Sequence, residues 1–122
     1  MATWREIATD NYAAVLELLS GRRWRSAVSR CYYAVYARSI AGMKAGAVFP
    51  TGREGPRHAV LPAMVASGSL GDVPGAVRLA GIIRKLYKLR LISDYSQSFP
   101  VDDGDARNAV QLMQTFFGLM EK

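Results

Sequence analysis

The spacing of apolar residues near the C-terminal end constrains the fold more than any other feature of this chain. Apolar side chains recur there at positions i, i+3, i+4 and i+7, namely Ala106, Ala109, Val110, Met113, Phe116, Phe117 and Met120. This period places one apolar stripe along an amphipathic helix, and the stripe must be buried against other elements. Acids at Asp102, Asp103 and Asp105 lie at its start, where the helix dipole favours negative charge. The pattern predicts a last helix that packs into a core.

Helix signals recur through the rest of the chain, whereas the alternation of apolar and polar residues that is typical of strands is missing. Thr3 and Glu6 have the spacing of a capping box, which begins a first helix that Gly21 ends. Further helices are predicted over residues 22–44, 57–67 and 73–94.

Glycine and proline separate these predicted helices. Residues 45–56 contain three glycines and two prolines without any period, which predicts a long loop or flap. Asp72 is a candidate N-cap of the next helix, and Pro74 suits its first turn. Helices joined by turns favour an all-α, four- to five-helix up-and-down bundle that spans residues 1–122 as one domain.

Composition narrows the class of protein. Half of the 122 residues are hydrophobic and 21% are charged, which is ordinary for a globular domain. The single cysteine, Cys31, lies in a helical apolar pattern, so a buried thiol in a reducing compartment is expected. The charged residues among the first twenty argue against a signal peptide, and no stretch has the length of a membrane span. We therefore expect a cytoplasmic protein.

The net charge of +6 is concentrated in two stretches. Residues 22–38 and residues 78–90 each hold five cations and no acid. Such a field attracts polyanions such as RNA. A solvated cationic surface, or a surface that meets an acidic partner protein, explains the same pattern.

Two arginines and one carboxylate form a candidate site. Arg90 and Asp94 are four residues apart, so they can meet on one helical face. Arg30 emerges from a stripe of alanines, where partial desolvation would require a nearby carboxylate. We expect an Arg30–Asp94 or Arg90–Asp94 pair, with bidentate geometry. The pair is either a structural clamp or part of a ligand site.

Aromatic residues and the only histidine complete the candidates. Tyr32 and Tyr36 should share one flank of the second helix while Tyr33 points away from both, because successive side chains are about 100° apart. These rings suit a helix interface or, alternatively, base stacking. His58 lies near a predicted helix start, and a capping or surface role is favoured over a catalytic one. No paired carboxylates, phosphate-binding glycine loop, zinc-ligand spacing or Ser/His/Asp set is found.

Residues 29–36, Ser-Arg-Cys-Tyr-Tyr-Ala-Val-Tyr, followed by His58 and by the late run from Arg90 to Asp94 and Tyr95, resemble the HEPN superfamily (higher eukaryotes and prokaryotes nucleotide-binding). The resemblance is greatest to its small stand-alone prokaryotic branch. It implies a helical bundle that commonly dimerises, and often a metal-independent ribonuclease of toxin–antitoxin or other defence systems. The family's catalytic motif is an arginine and, after four to six residues, a histidine contributed by both subunits.

The late run departs from that motif. Arg90 stands at the position of the arginine, but Tyr95 stands where the family has histidine. A tyrosine with a pKa of about 10 is a poor general base at neutral pH. The resemblance therefore implies a non-catalytic module that binds nucleotides or RNA, without a metal or other cofactor. It also implies a homodimer that acts beside a partner such as a nucleotidyltransferase.

The residues expected to bind RNA or nucleotide are Arg30, Tyr33, Lys85, Lys88, Arg90 and Asp94. The first alternative is a metal-independent endoribonuclease toxin that uses Arg90 with Tyr95 or His58. The second is a protein-interaction bundle that binds no nucleic acid.

Overall fold

The computed structural model describes residues 2–43, 57–71 and 73–121, and these residues form five helices without any strand. The helices are α1 (Trp4–Ser20), α2 (Trp24–Ala41), α3 (Leu61–Ala66), α4 (Ala76–Tyr95) and α5 (Asp103–Met120). The all-α bundle expected from the periodicity is confirmed. The predicted loop over residues 45–56 and the predicted N-cap at Asp72 lie outside the described residues.

The first turns of α1 and α5 are both capped, α1 as predicted and α5 by a capping box where the sequence predicted only acids favoured by the helix dipole. The Thr3 hydroxyl accepts a hydrogen bond from the Glu6 N–H at 3.1 Å, and the Glu6 carboxylate accepts one from the Thr3 N–H at 3.4 Å. Asp102 and Asp105 make the same reciprocal pair at 3.0 Å before α5. The Asp105 backbone N–H is the main reason why the pKa of Asp102 is lowered.

Other helix boundaries differ from prediction for backbone reasons. α2 begins two residues after Arg22, because Arg22 has φ of 59° and cannot continue a right-handed helix. α4 begins after Gly75, which is left-handed at φ 77°, so Pro74 precedes the cap instead of lying in the first turn. α3 is shorter than predicted, because residues 58–60 form a turn.

α2 is the central helix of the bundle, since it packs against α1, α4 and α5, and α3 packs against α4. The apolar stripe of α5 is largely buried as predicted, with Met113 and Phe116 fully enclosed. Cys31 is also fully buried, and this burial raises the pKa of its thiol to about 12. Because α2 touches three other helices, the polar side chains that it carries lie between elements.

None of the helices in the described residues has both the length and the apolar character needed to cross a membrane.

Candidate functional site

Arg90 lies where α4 packs against α2, and only 9% of the residue is exposed. Its Nη2 donates a hydrogen bond to the Tyr33 hydroxyl at 2.7 Å, and its Nε donates to Asp94 Oδ2 at 3.2 Å. The predicted Arg90–Asp94 pair is thus confirmed, but as a single contact instead of a bidentate one. The Ser29 hydroxyl donates to the same Asp94 oxygen at 3.2 Å. These contacts join α2 to the last turn of α4.

Aromatic rings surround the Arg90 guanidinium. Its Cζ lies 5.1 Å from the ring centroid of Tyr33, 5.9 Å from that of Tyr32 and 5.7 Å from that of Tyr95, distances at which cation–π attraction operates. Burial lowers the pKa of Arg90, but Tyr33, Tyr95 and Asp94 raise it by more, so the net shift is upward. The guanidinium therefore stays charged, and the groups that stabilise its charge belong to the protein itself.

Arg30 does not have the environment that the sequence predicts. Its side chain is exposed, and its Nη1 donates to Asn11 Oδ1 at 3.0 Å, so it meets α1; it does not pair with Asp94 or with any other carboxylate in the described part of the chain. The expectation of a desolvated Arg30 was wrong, because its long side chain passes the alanines and carries the charge into water. Asn11 is 9% exposed, and its Nδ2 donates to the Ile7 carbonyl at 2.9 Å. Arg30 is therefore held by a buried amide.

His58 lies within the tyrosine cluster, contrary to its predicted surface or capping role. Its Nδ1 is 2.6 Å from the Tyr32 hydroxyl, and its ring centroid is 4.6 Å from that of Tyr36 and 6.2 Å from that of Tyr33. The ring also stacks on Tyr87 at 5.9 Å. Burial raises the pKa of Tyr32, so its hydroxyl stays protonated.

The expectation that Tyr33 points away from Tyr32 and Tyr36 was also wrong. The Tyr32 and Tyr33 ring centroids are 5.7 Å apart, and Tyr33 and Tyr36 line one cavity together with His58. Side chains that diverge at their Cα atoms can still converge at their ring ends when a residue from another segment lies between them.

A cavity of about 500 Å³ lies between α1 and α2. Its lining combines aromatic rings with one arginine and includes Trp4, Asn11, Ser29, Arg30, Tyr33, Tyr36 and His58. Arg30 and Asn11 also border a second depression of about 530 Å³, which extends to Gly21 and is lined by Asp10 and Glu17. Arg30 thus stands between an aromatic cavity and a depression that is lined by two acids and by a second arginine, Arg23.

Lys85 and Lys88 lie apart from this site. They precede Arg90 on α4 by five and two residues, which at about 100° per residue directs them to the opposite side of the helix. Both are exposed, and Lys85 lines a separate groove of about 380 Å³ between α4 and α5. The structure brings Tyr33, Arg90 and Asp94 together and places Arg30 beside Tyr33 along the α1–α2 cavity, but it does not add the two lysines.

The sequence analysis did not identify several residues that belong to the site. Trp4 and Asn11 belong to the first helix, where Asn11 follows Trp4 by two turns and so places an amide on an apolar stripe. That polar residue among apolar ones was the available signal.

Arg25 is a further residue that no sequence pattern indicates. Its guanidinium donates to the carbonyls of Ile92, Ser93 and Ser96 at 2.9–3.3 Å and also to that of Phe99. It therefore satisfies carbonyls at the end of α4, next to Asp94.

Tyr95, the residue at the position of the expected histidine, is 69% exposed. Among the described residues, no group of three or more His, Cys, Asp or Glu side chains is placed to hold a metal ion. The site therefore offers guanidinium groups, phenols and one imidazole.

Comparison with known proteins identifies the family of the chain through a match to a family model. No curated protein and no solved structure matches the chain significantly. The family model described as the HEPN domain matches residues 1–122, the whole of the chain. That match over the whole chain, together with the all-α bundle, shows that the chain belongs to the HEPN family.

Proposed function

We propose that this HEPN domain binds RNA or nucleotides on the side of α2 that carries Arg30 and Tyr33, and that it does not cleave them. The observation that carries the proposal is the position of Arg30. Its guanidinium is exposed at the mouth of an aromatic cavity, and within the described residues its hydrogen bond to Asn11 uses only one of its nitrogens. Guanidinium and aromatic rings together suit a phosphate joined to a base.

The contacts of Arg90 support a binding role without catalysis. The whole Arg90 residue is only 9% exposed, and its guanidinium already donates to Tyr33 and Asp94, so a phosphate could reach it only by displacing these partners. Tyr95 is accessible, but its phenol is a poor base at neutral pH. In this proposal Arg90 and Asp94 hold the binding surface together, and Lys85 and Lys88 add only general attraction for a polyanion.

One observation favours a second candidate, the metal-independent ribonuclease. His58 and Arg90 both lie against the rings of Tyr32 and Tyr33, so an imidazole and a guanidinium share the same two aromatic neighbours. Histidine is the residue whose ordinary pKa suits proton transfer near neutral pH. His58 would then replace the histidine that is missing at Tyr95.

We further propose that the domain is a cytoplasmic homodimer that acts with a partner protein such as a nucleotidyltransferase in a toxin–antitoxin or defence system. Exposed apolar residues near the end of α4, namely Leu91, Tyr95 and Phe99, support a second subunit at that end. Light scattering coupled to size-exclusion chromatography tests the dimer. Leu91→Glu should shift the wild-type dimer toward monomer, and a wild type that is monomeric at high concentration would contradict this part.

The binding proposal is tested with labelled single-stranded RNA in the presence of EDTA. We expect intact RNA and an affinity that falls steeply with salt, because phosphate contacts release counterions. Arg30→Met should weaken binding and reduce the salt slope by about 0.7, the value for one contact to a single strand. Lys88→Met is the matched control, since it removes one exposed cation on the far side of α4.

Three outcomes separate the candidates. Cleavage in EDTA that His58→Ala abolishes would establish the ribonuclease and refute the non-catalytic proposal. Cleavage that appears only in Tyr95→His would show that the family site has lost its base and support the proposal. No RNA binding even at low salt would refute it and favour the protein-interaction bundle.

A further inference from the structure

We infer that the groove between α4 and α5 binds the exposed acidic stripe of α1 in a second copy of this chain. The groove has a volume of about 380 Å³, and Arg78 and Lys85 line its α4 wall. The stripe on α1 carries Asp10 and Glu17, which are both exposed. The inference goes beyond the proposed function, since it depends neither on RNA binding nor on the dimer at the end of α4.

The shape of the groove suits a helix. α5 packs more closely on α2 than on α4, which leaves the space between α4 and α5 open. On the α4 wall, Arg78, Gly81 and Lys85 lie at positions i, i+3 and i+7. The α5 wall repeats this spacing with uncharged polar side chains, namely Asn108, Gln111 and Thr115. Each wall therefore presents two helical turns, about 10 Å in length, which is the usual form of a groove that receives a helix.

Gly81 lies inside α4 although nothing in the described residues requires a glycine there. Its φ is not positive, and a Cβ atom built on it would meet no atom within 4 Å. Glycine inside a helix lowers stability relative to alanine, so the fold by itself gains nothing from it. The missing side chain lets a second helix approach to about 8 Å, the lower end of the usual range. Gly118 has the same open space but lies in the last turn of α5, outside the groove.

The charge of the groove requires an acidic partner. Neither Arg78 nor Lys85 takes part in an ion pair within the described residues, and residues 76–93 and 106–120 contain no acid. Sites for single-stranded nucleic acid combine cations with rings on which bases stack, but no aromatic residue of the described chain lines this groove. An acidic helix therefore fits the lining better than RNA does.

α1 carries an exposed stripe with the matching pattern. Asp10, Ala13 and Glu17 are all exposed, and they repeat the i, i+3, i+7 spacing of the two groove cations and the glycine between them. Neither acid is ion-paired within the described residues. Arg23 and Arg30 line the depression on one side of these acids, but Ala13 does not, so the stripe is accessible from the side of Ala13.

The two patterns fit each other in either direction. In a parallel arrangement Glu17 meets Lys85, in an antiparallel one Asp10 meets Lys85, and an alanine of α1 faces Gly81 in both. Exposed charge pairs of this kind give specificity more than affinity, and salt weakens them. Because the stripe and the groove are different surfaces, each copy keeps one of them free, so the contact extends into a chain of subunits or closes into a ring.

Charge reversal tests the contact. Light scattering measures self-association in a Leu91→Glu background, so that the dimer proposed at the end of α4 does not contribute. We expect association that weakens as salt rises. Lys85→Glu should weaken it at least about tenfold, because like charges then face each other. Lys88→Glu, the same change at an exposed position outside the groove, should have little effect.

A second reversal should restore what the first removes. Adding Glu17→Lys to Lys85→Glu restores association if the helices are parallel, and adding Asp10→Lys restores it if they are antiparallel. Either rescue supports the inference and identifies the direction.

A steric variant tests the close approach without changing any charge. Gly81→Leu should abolish self-association, because its side chain fills the space that the second helix needs. Gly118→Leu adds the same side chain outside the groove and should leave association unchanged. Circular dichroism confirms that both variants fold. RNA binding should be the same in Gly81→Leu as in the wild type.

A Leu91→Glu protein that stays monomeric at high concentration and low salt would overturn the inference. Association that survives Gly81→Leu, or that neither second reversal restores, would also overturn it. Loss of RNA binding in Gly81→Leu would assign the groove to nucleic acid instead. If self-association follows the expected pattern but RNA does not bind, the proposed function fails and this inference stands.

Discussion

Replacing Arg90 with alanine should destabilise the domain by about 2 kcal/mol, because Arg90 connects α4 with α2. The charged hydrogen bond to Tyr33 is the largest contribution, since bonds to charged groups are worth about 1.5–3 kcal/mol. The Asp94 side chain is 28% exposed, so water replaces part of that contact, and it adds only about 0.5 kcal/mol. The ring contacts add about 1 kcal/mol, and the side-chain entropy that alanine releases offsets a similar amount.

Urea unfolding followed by circular dichroism measures this loss, since a domain of this size usually unfolds in one cooperative transition. The melting temperature should fall by roughly 8 °C, at about 4 °C per kcal/mol. A double-mutant cycle with Tyr33→Phe isolates the hydrogen bond, and the two substitutions should be coupled by about 1.5 kcal/mol. Lys88→Ala, on the solvent side of the same helix, is the control and should stay within 0.5 kcal/mol of the wild type.

The reasoning is refuted if Arg90→Ala costs less than about 0.5 kcal/mol, the range of ordinary surface substitutions. It is also refuted if the cycle with Tyr33→Phe shows no coupling. In either case, Arg90 would not be the connection between the helices that its contacts indicate.

Three further predictions concern single groups. Arg38 is 7% exposed, and among the described residues its Nε and Nη1 have no hydrogen-bond partner, while its Nη2 is 3.9 Å from an exposed Glu121 carboxylate. Burial and Arg5 lower its pKa by more than Glu121 raises it, so Arg38→Met should leave the free energy of unfolding unchanged or raise it. A loss above about 1 kcal/mol in urea unfolding would contradict this. Cys31, with its pKa raised to about 12, should resist iodoacetamide at pH 8 in the folded protein and react once urea unfolds it, as mass spectrometry would show; rapid labelling of the native state would be inconsistent with burial. The pKa of Asp102 is lowered in the folded state, so its carboxylate stabilises the fold above its ordinary pKa of about 4, and this stabilisation is lost as the pH falls through the folded value. Asp102→Ala should therefore lower the melting temperature at pH 7 and make progressively less difference in acid, and an equal effect at both pH values would count against the cap.

Local patterns in the sequence were enough to predict the helices. The stripe of α5 and the capping box at Thr3 depend on residues a turn apart along one helix, and the structure has them as predicted. At Asp102 the sequence predicted acids at the helix start, and the structure adds a capping box. Predicted boundaries were wrong at Arg22 and Gly75, where a backbone conformation with positive φ ends or delays a helix. A resemblance carried by short motifs also identified the HEPN family.

The candidate site was predicted only in part. The Arg90–Asp94 contact follows from i, i+4 spacing on one helix, and it was predicted for that reason. The partners of Arg30 and His58 lie on other elements, so neither periodicity nor spacing could identify them. Lys85 and Arg90 point to different sides of α4 because they are five residues apart on a helix. Which neighbouring helix faces each of these two sides depends on the packing of the bundle.

The sequence by itself determined the all-α class, the capped helices, the apolar stripe of α5 and the family, because these properties depend on residues close together in the chain or on the motif as a whole. Tertiary structure alone decided that His58 contacts the α2 tyrosines, that Asn11 holds Arg30 and that Arg25 binds carbonyls about seventy residues away. Those contacts join side chains from different helices, and their geometry is set by how the helices pack. A charged or aromatic side chain takes its function from the neighbours that packing provides.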